Sequence, residues 1–440
     1  VSGKPAIVVD AFRRRTVPAR AAVPDVRPYA LWYQCAVLGL AVAVIYANLP
    51  IYAYTWHAGL PPKYAFFALF LLMAPPLLTR RAALAAYLLS PFALWAGALV
   101  VLHLIHLSAW QGGGDLVDHG NQVRAALVLT RIQYILFAAM FGFVVFVTPV
   151  RTYLAVAAAL MVLLPGAILA DFARPGLFYP LDTSGAVLGR AAATFINPTT
   201  AGEALLHVFL VGCAVVGRRW RGPLFLLAGA AVLATFSRSS IIAWGVILAI
   251  LVARGSLPRS MAVATLAALA ALVLGLGSFE SYLHARDGFE GASSNIVSRL
   301  EFFSNLNFDD DSSEERAGVV KAGWEIFLRN PVFGAGAGAT LFWAHRGGTH
   351  NQLVMFAAEY GLFGIGLWAW LLAILWRGRF MPERGLQLAL VFLFAFMSMF
   401  THQMLDAASY WLATFALVAT RAPWTVPVAA GHARLNGRRP

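Results

Sequence analysis

The sequence predicts an all-α polytopic membrane protein. Charged side chains make up only 12% of 440 residues and hydrophobic ones 60%, a balance that soluble chains of this size do not keep. Apolar runs approaching the ~20 residues needed to cross a bilayer recur along the whole chain. Cys35 and Cys213 both fall inside such runs, which argues against a disulfide or a thiolate metal site.

Twelve stretches are expected to form transmembrane helices: 31–54, 64–79, 83–106, 125–148, 152–171, 199–217, 223–236, 240–253, 260–278, 352–376, 385–402 and 407–421. Gly and Pro interrupt some of them, and 223–236 and 240–253 are short. Residues 1–30 carry Arg13, Arg14, Arg15, Arg20 and Arg27. The apolar run behind them is too long for the core of a signal peptide, so they read as a cytoplasmic tail. A transmembrane domain over 31–421 follows, then a second cytoplasmic tail over 422–440. With the N-terminus inside, the larger share of the 33 Lys and Arg falls on inner segments, among them Arg80, Arg81, Arg151, Arg218, Arg219, Arg221, Arg254 and Arg259. This satisfies the positive-inside rule. The net charge of +13 is therefore largely topogenic and does not point to nucleic acid.

The outer side then has short connections near 55–63, 107–124, 172–198, 237–239 and 403–406, and one long loop, 279–351. A loop of that length in a compact protein is usually functional or disordered. "NFDDDSSEER" is polar and solvated in character. Beyond it, "SSEERAGVVKAGWEIFLRNP" predicts an amphipathic helix over 313–329. Ser312 and Glu315 suit a capping box, Ala317, Val320, Trp324 and Phe327 form one apolar stripe, and Asn330-Pro331 stops the helix. Such a helix can lie on the membrane surface or cover a cavity.

In "GGTHNQLVMFAAEYGLFG" (Gly347–Gly364), His350 stands where a polar, Gly-rich stretch turns into an apolar helix, with Thr349 or Asn351 as N-cap. The positive end of a helix dipole disfavours imidazolium and leaves a neutral ring able to accept a proton. Two roles fit: a general base, or an interfacial histidine bound to a headgroup or a carbonyl. Glu359 lies about half a turn away and is not expected to pair with it. Gly361 and Gly364, with Ala357, suit close helix packing. Arg190, Arg238 and Arg299 each adjoin an apolar span without a neighbouring acid. Their guanidinium groups suit phosphate oxygens, on a substrate or on membrane lipids. Asp406, four residues after His402, could orient an imidazole or an arginine, or cap the last span. Asp309, Asp310 and Asp311 lack metal-ligand spacing and read as a solvated tip. "FGAGAGA" (Phe333–Ala339) lacks the Lys-Ser/Thr of a nucleotide loop, although its backbone could approach an anion.

His350-Asn351, nine residues, Gly361, two residues and Gly364 resemble the signature of the bacterial O-antigen ligase superfamily. That superfamily also holds O-antigen polymerases and protein O-oligosaccharyltransferases. "GRAAATFINPTTAG" around Arg190 and Asn197, "TFSRSS" around Arg238, and Arg299 followed by "AGWEIFLRNPVFGAGAG" are similar to the wider family pattern. The resemblance runs from Arg190 to Asp406, which matches a late periplasmic acid only loosely. It implies a glycosyltransferase in the inner membrane with a site facing the periplasm. That enzyme would move O-antigen from undecaprenyl diphosphate to the lipid A core without metal or cofactor, with inversion. It further implies His350 as base, Arg238 and Arg299 in catalysis, and Arg190, Asn197, Asn351 and Asp406 at the substrate. A lipid-linked glycan transporter is the competing class. Few acids in the spans, no repeat relating the halves and the long outer loop speak against it.

Overall fold

The computed structural model describes residues 28–420 except 58, 110–120, 181, 184–185, 188, 275–310, 346–347, 379, 403 and 406–408. The calls on the two tails, Arg299, Asp309, Asp310 and Asp406 therefore lie outside the described residues. Within them the chain consists of helices and turns, with no strand.

Every expected apolar stretch carries a helix, and prolines decide where several are cut. The first stretch becomes α1 (Pro28–Tyr46) and α2 (Leu49–Trp56), bent by 61°. Asn48 between them is left-handed (φ 54°), a conformation Asn tolerates, and Pro50 restarts the helix where a missing N–H costs nothing. The second is α3 (Pro62–Thr79). The third divides at Ser90-Pro91 into α4 (Arg81–Leu88) and α5 (Pro91–Ala109). There the Ser90 hydroxyl accepts from Ala93 N–H (3.3 Å) as a cap. α6 (Asn121–Val147) and α7 (Val150–Ala173) turn at Thr148-Pro149.

Four shorter helices follow: α8 (Pro198–Gly212), α9 (Arg218–Ala234), α10 (Arg238–Ala253) and α11 (Arg259–Leu274). The loop helix is α12 (Asp311–Arg329), and α13 (Gln352–Arg377), α14 (Arg384–Met397) and α15 (Ser409–Thr420) complete the set. Among the described residues five helices, α3, α5, α6, α7 and α13, are long and apolar enough to cross a membrane alone, six if α1 and α2 count as one bent span. The short ones have a physical reason in α8. Every residue from Ala201 to Gly212 is buried, so this helix is surrounded by protein instead of lipid. It packs on α7, α9, α10 and α14; its Phe209 meets Phe225 of α9 edge to face, and Phe225 stacks on Trp244 of α10.

α8, α9 and α10 run up, down and up through short turns, so the start of α8, the end of α9 and the start of α10 share one end of the bundle. α14 packs antiparallel to α10: Gly385 lies against Arg254 and Ser256. At that opposite, arginine-rich end Glu383 pairs with Arg221 (2.8 Å) and Arg218 (2.9 Å). The end of α14 therefore joins the start of α10, and the start of α13 joins both, because Gln352 N–H donates to Ser398 O (2.6 Å).

α12 corrects two expectations. It begins at Asp311, which puts Ser312 in the first turn and not at the cap. Its buried stripe is Val319, Gly323 and Phe327, whereas Ala317 and Trp324 are exposed. The face was set by α13, against which α12 packs: Gly323 fits against Val354 and Thr349.

Candidate active site

The start of α13 is built by its own sequence. Asn351 is the N-cap, its Oδ1 accepting from Val354 N–H (3.0 Å). The buried Thr349 hydroxyl donates to the Asn351 carbonyl (2.9 Å). Between them His350 is held in the left-handed region (φ 50°), rare for a residue with a β-carbon. Gln352 locks this turn from inside. Besides its backbone bond to Ser398, its Oε1 accepts from Met404 N–H (3.2 Å). Residues 398–402 and 404–405 are thereby drawn across the turn, and His402 meets His350 edge to face, ring centroids 5.2 Å apart at 90°.

Burial pushes the His350 pKa below the ordinary histidine value. The Arg316 charge on α12 adds to this, and Glu315 opposes it. The ring is thus neutral near pH 7, as its place at a helix start leads one to expect, with burial as the larger cause. A neutral imidazole at a half-buried rim can take a proton from a hydroxyl.

Below His350, α13 is broken. Gly361 adopts φ 66° and ψ −146° inside it, and a β-carbon there would run into the Val332 carbonyl. The "FGAGAGA" loop fills the gap. Ala335 N–H donates to Ala358 O (2.8 Å), Gly336 N–H to Glu359 O (3.1 Å), and Leu362 N–H to Pro331 O (2.8 Å). These loop amides satisfy carbonyls that the break releases, so they are not aimed at an anionic ligand. Gly361 likewise serves a break within one helix, not a packing face between two.

Glu359, at the break, pairs with Arg131 of α6 and accepts from the Thr340 hydroxyl (2.7 Å). Arg131 also donates to Tyr360 Oη (3.1 Å), which bonds His103 Nε2 (3.1 Å). The sequence reading passed over this cluster. Its signal was there as one cation and one anion inside apolar spans, since intramembrane charges persist only when paired.

The arginines come together through the backbone. Arg190 is buried, its Nε donating to Thr235 O (2.8 Å), while Ala191 N–H donates to Ala234 O (3.1 Å). The "GRAAATF" loop is so laid along "TFSRSS", where Arg238 opens α10 behind linked hydroxyls of Ser237, Ser239 and Ser240. Asp171, at the end of α7, holds the loop down: its Oδ2 accepts from both Ala192 and Ala193 N–H (2.9 Å each). Asn197 caps α8, its Oδ1 accepting from Thr199 N–H (2.9 Å) and Thr200 N–H (3.3 Å). Asp171 was missed because a lone acid at a span end carries no motif. Glu203 was missed too. It is buried in α8, accepts from the Trp411 indole N–H and lies beside Thr401, the neighbour of His402.

The described site therefore places His350 and His402 at the same end of the bundle as Arg190 and Arg238. Comparison with curated proteins finds no match. The family model described as O-antigen ligase (Wzy_C) matches residues 223–369. That span runs from α9, through Arg238, to His350 and the break at Gly361. Over these residues, a third of its length, the chain is similar to the O-antigen ligase family.

Proposed function

We propose that the protein transfers O-antigen glycan from undecaprenyl diphosphate to the lipid A core, at the periplasmic face of the inner membrane. The observation that carries this reading is the neutral, half-buried His350 held at the end of the bundle where the Arg190 loop lies on the Arg238 turn. His350 takes the proton of the acceptor hydroxyl as its oxygen bonds to the anomeric carbon. The bond from that carbon to the diphosphate oxygen breaks, and the leaving group departs with the electron pair. Arg238 and Arg299 stabilise the charge that develops on it, as guanidinium groups do for phosphate, and Arg190 with Asn197 lines the donor side. Asn351 shapes the turn that presents His350, and Asp406 is assigned to substrate binding. No metal or cofactor takes part. Attack from the face opposite the diphosphate inverts the anomeric carbon.

The acceptor is taken to be lipid A core and not a second glycan or a protein. α12, in the segment expected to form the long outer loop, exposes Trp324 and Leu328 on a helix that also exposes Arg316, Lys321 and Arg329 together with Glu314, Glu315 and Glu325. An exposed apolar edge that carries cations among its charges can meet a phosphorylated lipid. The test is reconstitution of the pure protein with lipid-linked glycan and core-bearing lipid A, then with a second lipid-linked glycan, then with a periplasmic protein. Glycan on lipid A is expected. Growth of glycan on its own carrier, or glycan on the protein, with bare lipid A, overturns the ligase reading. Movement of lipid-linked glycan without any covalent product overturns the enzyme.

A further inference from the structure

The imidazole of His402 has no role in the chemistry above, yet three observations place it against the base. Its ring meets His350 edge to face at 5.2 Å. The backbone on both sides of it is tied to the first turn of α13 by one buried residue, Gln352, whose backbone N–H donates to Ser398 O (2.6 Å) and whose Oε1 accepts from Met404 N–H (3.2 Å). Its Nε2 end rests on Gly348, where a β-carbon would collide with Nε2, Cδ2 and Cε1 of the His402 ring. The ring thus lies against both the backbone of Gly348 and the side chain of His350, two residues apart on one strained turn.

We propose that His402 is a positioning residue for the general base: its ring sets the orientation of the His350 imidazole. The inference rests on His350 being that base. The physical need for it is plain. His350 projects from a left-handed residue at a half-buried rim, so the choice among its staggered rotamers falls to the groups around the ring. A base must hold its nitrogen within hydrogen-bond reach of the hydroxyl, and a displacement of about 1 Å can cost about a hundredfold in rate. The wall formed by the His402 ring removes that freedom. It also explains Gly348: any side chain there displaces the wall.

The test is a double-mutant cycle on purified, reconstituted protein, reading kcat and the donor KM separately with thermal unfolding as the folding control. His402→Ala is expected to lower kcat by about 10-fold to 100-fold, with the donor KM and the melting temperature close to wild type. His402→Phe, which keeps a flat ring without nitrogens, is expected to recover most of the lost kcat. Gly348→Ala is expected to lower kcat in the wild-type background and to have little further effect in His402→Ala, because the ring it displaces is then absent. Wild-type kcat in His402→Ala overturns the proposal, as does an equal Gly348→Ala effect in both backgrounds. Failure of His402→Phe to recover more than His402→Ala also overturns it, since the nitrogens and not the ring would then matter. His350→Ala separates the two levels. An active His350→Ala protein removes the base itself, whereas an inactive one beside a fully active His402→Ala removes only the positioning.

Discussion

Arg131 of α6 and Glu359 of α13 form an ion pair in which both side chains are sealed from solvent, at the point where α13 breaks. One link thus holds a spanning helix to the discontinuous helix that carries His350. Breaking such a pair by removing one partner leaves an uncompensated charge and costs about 3–5 kcal/mol. Arg131→Ala and Glu359→Ala are each expected to lower the melting temperature markedly in detergent, with loss of the proposed glycan transfer. Joint Arg131→Met and Glu359→Leu should melt above either single variant, because no charge is left stranded. Single variants that melt like wild type would show that the pair does not hold the break.

The acid limb of the pH–rate profile should lie below the ordinary histidine range of about 6.5. Burial and Arg316 favour the neutral ring of His350, and protonation below its lowered pKa removes the base. Arg316→Ala takes away a repelling charge and should move the limb to higher pH. Glu315→Gln takes away an attracting one and should move it lower. A limb indifferent to both substitutions would mean that another group titrates.

Donor binding should depend on Arg238 and Arg299. Replacement of either by Ala is expected to weaken binding of the lipid diphosphate and lower turnover, with only partial rescue by Lys, which lacks the two-pronged geometry. Asp171→Ala should act on the same step through Arg190. It strands the buried Ala192 and Ala193 amides, at about 1–3 kcal/mol each, and frees the loop. Titration of the purified variants with lipid-linked glycan checks this, and unchanged donor affinity in all three would return the arginines to anchoring lipid.

Activity should survive excess EDTA, because guanidinium groups can carry the phosphate charge. Joint replacement of Asp309, Asp310 and Asp311 by Asn should leave the rate within about twofold, as expected for solvated side chains. Loss of ligation with EDTA, restored by Mg²⁺ or Mn²⁺, would overturn the metal-free mechanism.

What the sequence by itself determined is local. Apolar runs marked every helix of the bundle, Asn330-Pro331 marked the end of α12, and a histidine beside a capping Asn marked the start of α13. Such features depend on side chains within a few residues of one another, through hydrogen bonds to nearby amides, missing N–H groups and the burial of runs. Tertiary structure decided which distant residues meet. His402 lies 52 positions from His350, and Thr235 lies 45 from Arg190. Nothing at either end of such a contact names its partner. The same holds for the break at Gly361: the motif predicted close packing, but only the arrival of the 331–338 backbone made a left-handed glycine necessary. The face of α12 was likewise chosen by α13, because a helix with apolar residues on more than one side buries whichever side its neighbour's shape accepts.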